Sequence, residues 1–277
     1  MIEDFNFDSI QIKTPKRAEN SHKGNFGKVL VIGGSDGMGG AAILSSEASL
    51  FCGSGLVHLH THPNNVEASL KRNPEIMALG INNNYKVPNE MNVILCGPGL
   101  RDDDWSYDIY KKTITKDGNH VLILDAGALY FLYKSYSKSP ISDKHLILTP
   151  HPGEASALLN VPVDEIQTDR LKAAKEISKK YNADVILKGN QTIVFSKLNE
   201  GALLCNEGGP ELATGGTGDV LAGVVSSLIA QKLSHFDSCV LSTALHARAG
   251  KIFNKTIGEI GLNASSLIPI IRDLLNK

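Results

Sequence analysis

The chain has 277 residues, 42% of them hydrophobic, with a formal net charge of −1. That length is ample for one large α/β domain, and the near-zero charge argues against nucleic-acid or anionic-membrane partners. No apolar run reaches the roughly 18 residues of a membrane span, and "MIEDFNFDSIQIKTPKRAEN" has early acids and no apolar signal-peptide segment. In chain order, "KVLVIGG" (28–34) is a β-branched run stopped by glycines, and "GAAILSSEASLFCGSG" (40–55) reads as a helix ending at Gly53. "LVHLHT" (56–61), "NVILCGPG" (92–99), "VLILDAG" (121–127), "HLILTP" (145–150) and "DVILKG" (184–189) are further short strands. Helices are expected over 102–116, which opens on three aspartates suited to a helix N-terminus, over 163–182, and over most of 217–276. Residues 1–27 and 197–211 read as arm and loop.

Strands that are almost continuously apolar are covered on both faces. Strand and helix in alternation predict a doubly wound, mainly parallel α/β sheet with helices on both faces, and nothing cuts residues 1–277 into two domains. Cys52, Cys96, Cys205 and Cys239 have no CxxC spacing and mostly apolar neighbours. They predict thiols packed as small hydrophobes in a reduced, cytoplasmic protein.

Ligands of such sheets sit outside the carboxyl ends of the strands. Five of those ends carry small or polar residues: Gly33-Gly34, "CGPGL", "DAGAL", "TPHPGE" and "LKGNQT". Each alone is an ordinary turn, but together they predict a long cleft. "TGGTGD" (214–219) then opens an apolar helical run. It has neither the lysine of a P-loop nor the early position of a dinucleotide fingerprint. Glycines without Cβ can turn several N–H groups inward as an anion nest, and a helix start adds partial positive charge. Each charge-assisted bond to an anion there contributes roughly 1.5–3 kcal/mol. The plainer alternative is Asp219 as an N-cap, worth ~1 kcal/mol, which does not call for three glycines. A carboxylate beside an anion nest can take the proton of an attacking hydroxyl while the nest stabilises the transferred phosphoryl group.

Six stretches, "SHKGNFGKVLVIGGSDGMGGAAILSSEASLFCGSGLV", "CGPGL", "LDAGAL", "LTPHPGEASALL", "LKGNQT" and "NEGGPELATGGTGDVLAGVVSSLIAQ", come in an order that resembles the ADP/ATP-dependent NAD(P)H-hydrate dehydratases. The resemblance covers nearly the whole chain. It implies a ribokinase-like fold and a metabolite-repair reaction: NADHX or NADPHX, carrying water across the nicotinamide ring, returns to NADH or NADPH. A phosphoryl group goes to the C6 oxygen and leaves as phosphate, with ADP converted to AMP. By this resemblance Asp219 is the catalytic base, Gly216 and Gly218 contact phosphate, and Lys188, Gly189, Asn190, Gln191 and Thr192 form the nucleotide segment. Ala41, Gly99, His151 and Asp219 fall at positions that contact the hydrate. Glu154 stands where related kinases keep an acid near Mg²⁺, unless it is a first-turn helix acid after Pro152. Lys188 could likewise be a solvated lysine at a turn. ADP is the expected donor, with ATP the other candidate, and a homo-oligomer such as a homotetramer is implied.

This sequence departs from the family at Gly209, where an asparagine is common, at Glu211, which replaces a glycine, and at Gly127, which replaces a second aspartate. Glu211 adds negative charge near the expected site. His58, His60 and His62 share one face of a strand, but their ~7 Å spacing along it is too wide for three ligands on one ion. His145 and His246 stand alone with no spacing argument. Two other classes use the same residues: a ribokinase-like kinase of a hydroxymethyl pyrimidine or thiazole alcohol, and a catalytically silent nucleotide-binding protein.

Overall fold

The computed structural model describes residues 2–14, 16–82, 84–135 and 145–277. The first half of the chain runs β1 (Glu3–Phe5), β2 (Lys28–Ile32), α1 (Gly39–Phe51), β3 (Leu56–Thr61), α2 (Val66–Arg72), β4 (Met77–Gly80), β5 (Val93–Cys96), α3 (Asp104–Ile114), β6 (Val121–Leu124) and α4 (Gly127–Ser135). The second runs β7 (His145–Leu148), α5 (Pro152–Leu159), α6 (Val163–Thr168), α7 (Arg170–Tyr181), β8 (Ala183–Leu187), β9 (Ile193–Phe195), β10 (Ala202–Cys205), α8 (Thr217–Ala230), α9 (His235–Thr256) and α10 (Leu267–Leu275).

The strands form a 10-stranded sheet in the order β1-β10-β9-β8-β7-β6-β5-β2-β3-β4. Every pairing is parallel except those of β9 with β8 and with β10. The strands expected from sequence are all present. The apolar runs are inaccessible from both sides, as a central parallel strand requires. Alternate residues feed two cores. Leu30, Ile94, Leu122, Leu146 and Val185 face Tyr110, Phe131, Leu158, Ile177 and Tyr181 of α3, α4, α5 and α7. Val31, Leu95, Ile123, Ile147 and Ile186 face Ala42, Leu221, Val225 and Ala244 of α1, α8 and α9. A third cluster joins α1, α8 and α9 to α10. α8 is therefore apolar nearly all round. Gly223 lets it lie close to α1, since a Cβ there would meet the Ser45 carbonyl oxygen at 2.2 Å.

Local differences from the expected elements have physical reasons. The run 163–182 is two helices, because Asp169 leaves helical geometry and its carboxylate accepts from the Lys172 N–H at 2.9 Å, capping α7. Asp103 caps α3 through the Ser106 N–H at 2.8 Å. The arm contributes β1, and the stretch 197–211 contains β10, so both belong to the sheet. Strand order reverses between β2 and β5, and there the chains nearly touch: the Gly34 N–H donates to the Pro98 carbonyl at 2.8 Å.

Candidate active site

Three neighbouring strands and one helix deliver charged groups to one place. Asp125 directly follows β6, β7 leads through Thr149 and Pro150 to His151, Lys188 directly follows β8, and the first turn of α8 holds Asp219. Lys188 Nζ lies 2.7 Å from Asp125 Oδ1 and 3.8 Å from Glu154 Oε2. Thr149 Oγ1 also donates to Asp125 Oδ1, at 2.8 Å. Lys188 is no solvated turn lysine: its side chain is 16% exposed and that of Asp125 2%. A Cβ on Gly218 would stand 3.2 Å from Lys188 Nζ, so the ammonium reaches the start of α8.

Three carboxylates share that single ammonium. Burial raises the Asp219 pKa to about 7; the Asp125 and Glu154 charges add to the rise and Lys188 opposes it. Burial also raises Glu154, against the pull of Lys188. Burial by itself would lower Lys188, but Asp125, Glu154 and Asp219 together lift it above its ordinary value. His151 is lowered, by burial first and by the Lys188 charge second.

Asp219 is not the N-cap of α8. Gly216 occupies that position at φ 93, with no capping side chain, and Asp219 is the third helical residue. The first-turn N–H groups thus have no side-chain cap, which is what an anion site at a helix start needs. Thr217 Oγ1 donates to the Leu212 and Thr214 carbonyls at 3.1 Å each and pins the loop. Ser45 Oγ donates to the Asp219 carbonyl at 2.9 Å, tying α8 to α1.

A cavity of about 730 Å³ opens beside this cluster. Lys188, Gly189, Asn190, Thr192, Gly218 and His151 line it, with Leu212, Leu221 and Ala247 as apolar wall. Gln191 and Gly216, expected at the same nucleotide, do not line it. Arg170 holds the 188–192 loop in place, donating to the Leu187 and Lys188 carbonyls at 3.0 and 3.2 Å. Ala41 and Gly99 lie outside this cavity but next to each other, the Ala41 methyl 3.3 Å from where a Gly99 Cβ would be. Ala41 is one turn before Ser45 on α1, the residue whose hydroxyl donates to the Asp219 carbonyl.

The acids offer hard oxygen donors, the kind Mg²⁺ takes. Among the described residues, no group of three or more His, Cys, Asp or Glu could hold an ion unaided. Mg²⁺ characteristically keeps waters and is bound through one or two carboxylates together with phosphate oxygens. Glu154 is a first-turn acid of α5 and also part of the Lys188 cluster. It closes a capping box on α5, accepting from the His151 N–H at 2.7 Å, and still stands 3.8 Å from Lys188.

The sequence profile of the NAD(P)H-hydrate dehydratases matches residues 29–273. The chain belongs to this family. It is 35% identical over 266 residues to the ADP-dependent (S)-NAD(P)H-hydrate dehydratase of Neisseria meningitidis, covering 94% of this chain and 89% of that one. It is 38% identical over 265 residues to the bifunctional NAD(P)H-hydrate repair enzyme of Vibrio cholerae, covering 95% of this chain but 52% of that protein. The chain thus spans about half the length of the bifunctional relatives it matches. Its fold is similar, at TM-score 0.89 and 28% identity, to the ADP/ATP-dependent dehydratase of Bacillus subtilis co-crystallised with ATP and Mg²⁺. That match covers 99% of this chain and 98% of the other, and a ribokinase-like superfamily protein of Enterococcus faecalis is similar at TM-score 0.89 and 27% identity over 99% of this chain and 95% of its own.

The departures from the family pattern take on a shape here. The Glu211 carboxylate does not face the acids. It is buried, accepts from Asn254 Nδ2 at 3.1 Å, and fills the space a Gly209 side chain would need, 2.5 Å from that Cβ position. Gly209 and Glu211 therefore fit one another, and Glu211, though its neighbours Gly209, Pro210 and Leu212 line the cavity, is not among the charges that shift Asp219, Glu154 or Lys188. Gly127 has the Leu100 carbonyl 2.2 Å from its Cβ position, leaving no room for an aspartate there without a shift. Sequence reasoning missed Asp125 as a site residue. Its one signal was an acid closing the all-apolar run "VLIL". It also missed Arg170 and His246. The histidine stripe has local uses: His60 Nδ1 pairs with the Tyr85 hydroxyl at 2.7 Å, and His62 lies past the strand end and caps the following turn.

Proposed function

We propose that this protein uses ADP, or ATP, to dehydrate hydrated NADH and NADPH back to the reduced cofactors. The observation that supports this best is Asp219, a carboxyl behind a glycine loop whose pKa of about 7 suits a general base at neutral pH. The nucleotide lies in the 730 Å³ cavity, against Lys188, Gly189, Asn190 and Thr192, with its phosphates toward Gly218 and the α8 N–H groups, while Gln191 and Gly216 shape the two loops from outside it. The hydrate enters from the α1 side, past Ala41 and Gly99, with His151 at the border of the two ligands.

Asp219 accepts the proton of the C6 hydroxyl as that oxygen attacks the terminal phosphoryl group, and AMP leaves when the donor is ADP. The new C6 phosphate ester is a far better leaving group than hydroxide. The ring nitrogen lone pair expels inorganic phosphate, and loss of a proton from C5 restores the dihydronicotinamide. Lys188 meets charge on the phosphoryl oxygens, and the helix start stabilises the same oxygens. Glu154 would help hold Mg²⁺ alongside nucleotide and water, and the ion would supply neutralisation of phosphate charge. The four free cysteines are all buried, which agrees with a reducing, cytoplasmic setting. A homo-oligomer belongs to the same proposal and is checked by light scattering.

The test is incubation with hydrated NADH, Mg²⁺ and either ADP or ATP, following reduced-nicotinamide absorbance and free phosphate together. Both signals are expected in equal amount. A phosphorylated alcohol that accumulates without free phosphate would identify a kinase instead. Nucleotide binding with no turnover would leave a silent binding protein.

A further inference from the structure

His246 lines the cavity wall, and nothing in the proposed chemistry uses it. Its Nε2 lies 3.0 Å from the Thr217 carbonyl oxygen. A carbonyl can only accept, so Nε2 carries the hydrogen. Burial pushes the imidazole down to about 4, so it is neutral near pH 7 and Nδ1 is a bare acceptor. Among the described residues Nδ1 has no hydrogen-bond partner, yet it is not among their sealed, unpartnered polar atoms. It is therefore open to the cavity that His246 lines.

The surroundings leave that acceptor to a ligand. Leu212, Leu221 and Ala247 offer no side-chain donor. The hydroxyl of Thr243 is turned to the Cys239 carbonyl at 2.8 Å, and the Cys205 thiol faces the Glu207 carbonyl at 3.8 Å. An acceptor fixed by a second hydrogen bond and left unpaired by the described residues favours a ligand that brings a donor and penalises one that brings a lone pair, even with Lys188 and Asn190 on the same cavity wall.

We propose that His246 Nδ1 reads a hydrogen-bond donor on the nucleoside half of the co-substrate, either the exocyclic amine of the base or a ribose hydroxyl, and so sets nucleotide specificity. This rests on the cavity being the nucleotide site proposed above. The same ring ties the start of α8, and with it Asp219, to α9. Specificity and alignment of the base thus pass through two nitrogens of one side chain.

The two nitrogens can be separated. His246→Gln sets an amide N–H where Nε2 was and has nothing at Nδ1, whereas His246→Asn keeps an acceptor near Nδ1 and loses the tie to Thr217. Calorimetric titration of each protein with ADP, IDP, 2′-deoxy-ADP and 3′-deoxy-ADP tells the sources apart. The wild type is expected to bind one analogue roughly tenfold more weakly than ADP, IDP marking the base amine and a deoxy analogue the ribose. His246→Gln should bind ADP roughly tenfold more weakly and treat that analogue and ADP alike. His246→Asn should keep the discrimination while turnover falls. Equal wild-type binding of all four nucleotides, or undiminished discrimination in His246→Gln, overturns the proposal. If His246→Gln does not fold, His246→Asn decides, and lost discrimination in the folded variant overturns it. No binding of ADP to the wild type would overturn the nucleotide site itself, and this inference with it.

Discussion

Around Lys188, three carboxylates share one ammonium. Around Glu207, two carboxylates meet two cations. There Arg248 Nε pairs with Glu207, its terminal nitrogens reach Asp8 at 3.0 and 2.7 Å, and Lys251 stands 3.6 Å from Glu207. The hydrogen bond from Arg248 holds Asp8 below the usual carboxylate range, and the bonds to Asp8 and Glu207 hold Arg248 above its own. The Phe7 N–H donates to Glu207 Oε2 at 3.2 Å, so this balanced network staples the N-terminal arm onto α9. The Lys188 network does the reverse to its acids, raising Asp219 and Glu154. Balanced ions hold a structure in one state. Unbalanced ones leave a standing demand for a proton or a cation, and a reaction can use that.

Removing the central base tests the unbalanced network hardest. Asp219→Asn is expected to keep ADP affinity and lower kcat by roughly 10²–10⁴-fold, read by titration and steady-state kinetics. The same change should stabilise the fold. A carboxyl raised from 3.8 to about 7 binds more protons folded than unfolded between those values, so its contribution worsens as pH rises through that window. The Tm gain of Asp219→Asn should be small at pH 4 and larger at pH 8. A Tm loss at pH 8 would contradict the frustration argued here. Lys188→Met comes next, with a loss of roughly 10²-fold in kcat. Because Lys188 pulls Asp219 down, its removal should also move the acid limb of the pH–rate profile to higher pH.

The fold was readable because its strands are nearly pure apolar runs closed by glycine or proline, a pattern a buried parallel sheet forces on any sequence. What escaped was short or depended on partners far along the chain. β1 and β9 have 3 residues each, and β4 and β10 have 4, too few for any period to show. Asp219 announced itself through the glycines before it. Asp125 gave no comparable sign, since its meaning lies in Lys188, 63 positions later. The pairing of Glu211 was hidden for the same reason: its partner Asn254 is 43 positions away and on another helix. His246 looked isolated, although its ring binds the loop that prompted the functional reading.

Smaller effects sharpen the contrast. Asp125→Asn takes away a negative neighbour of Asp219 and frees Lys188 to approach it, and both changes lower the Asp219 pKa. The acid limb of the kcat/KM profile, expected near pH 7 in the wild type, should therefore shift to lower pH, opposite to Lys188→Met. A shift in the same direction for both would mean that the two groups do not compete over Asp219. Arg248→Met should affect turnover least, within about twofold, because no charge of the balanced network shifts Asp219 or Lys188, although Glu207 does line the cavity. Its cost falls on stability: Glu207, with a side chain only 2% exposed, is left with Lys251 at 3.6 Å, a loss of about 3 kcal/mol for a stranded buried carboxylate. Asp8 adds a pH signature. Its folded pKa is depressed, so its share of stability is present above its ordinary value of 3.8 and lost as pH falls through the folded value. The Tm gap between wild type and Arg248→Met should hold from pH 8 to pH 5 and narrow below pH 4. A gap that instead followed the titration near pH 7 would tie the arm to the Lys188 cluster, and the two networks would then be one.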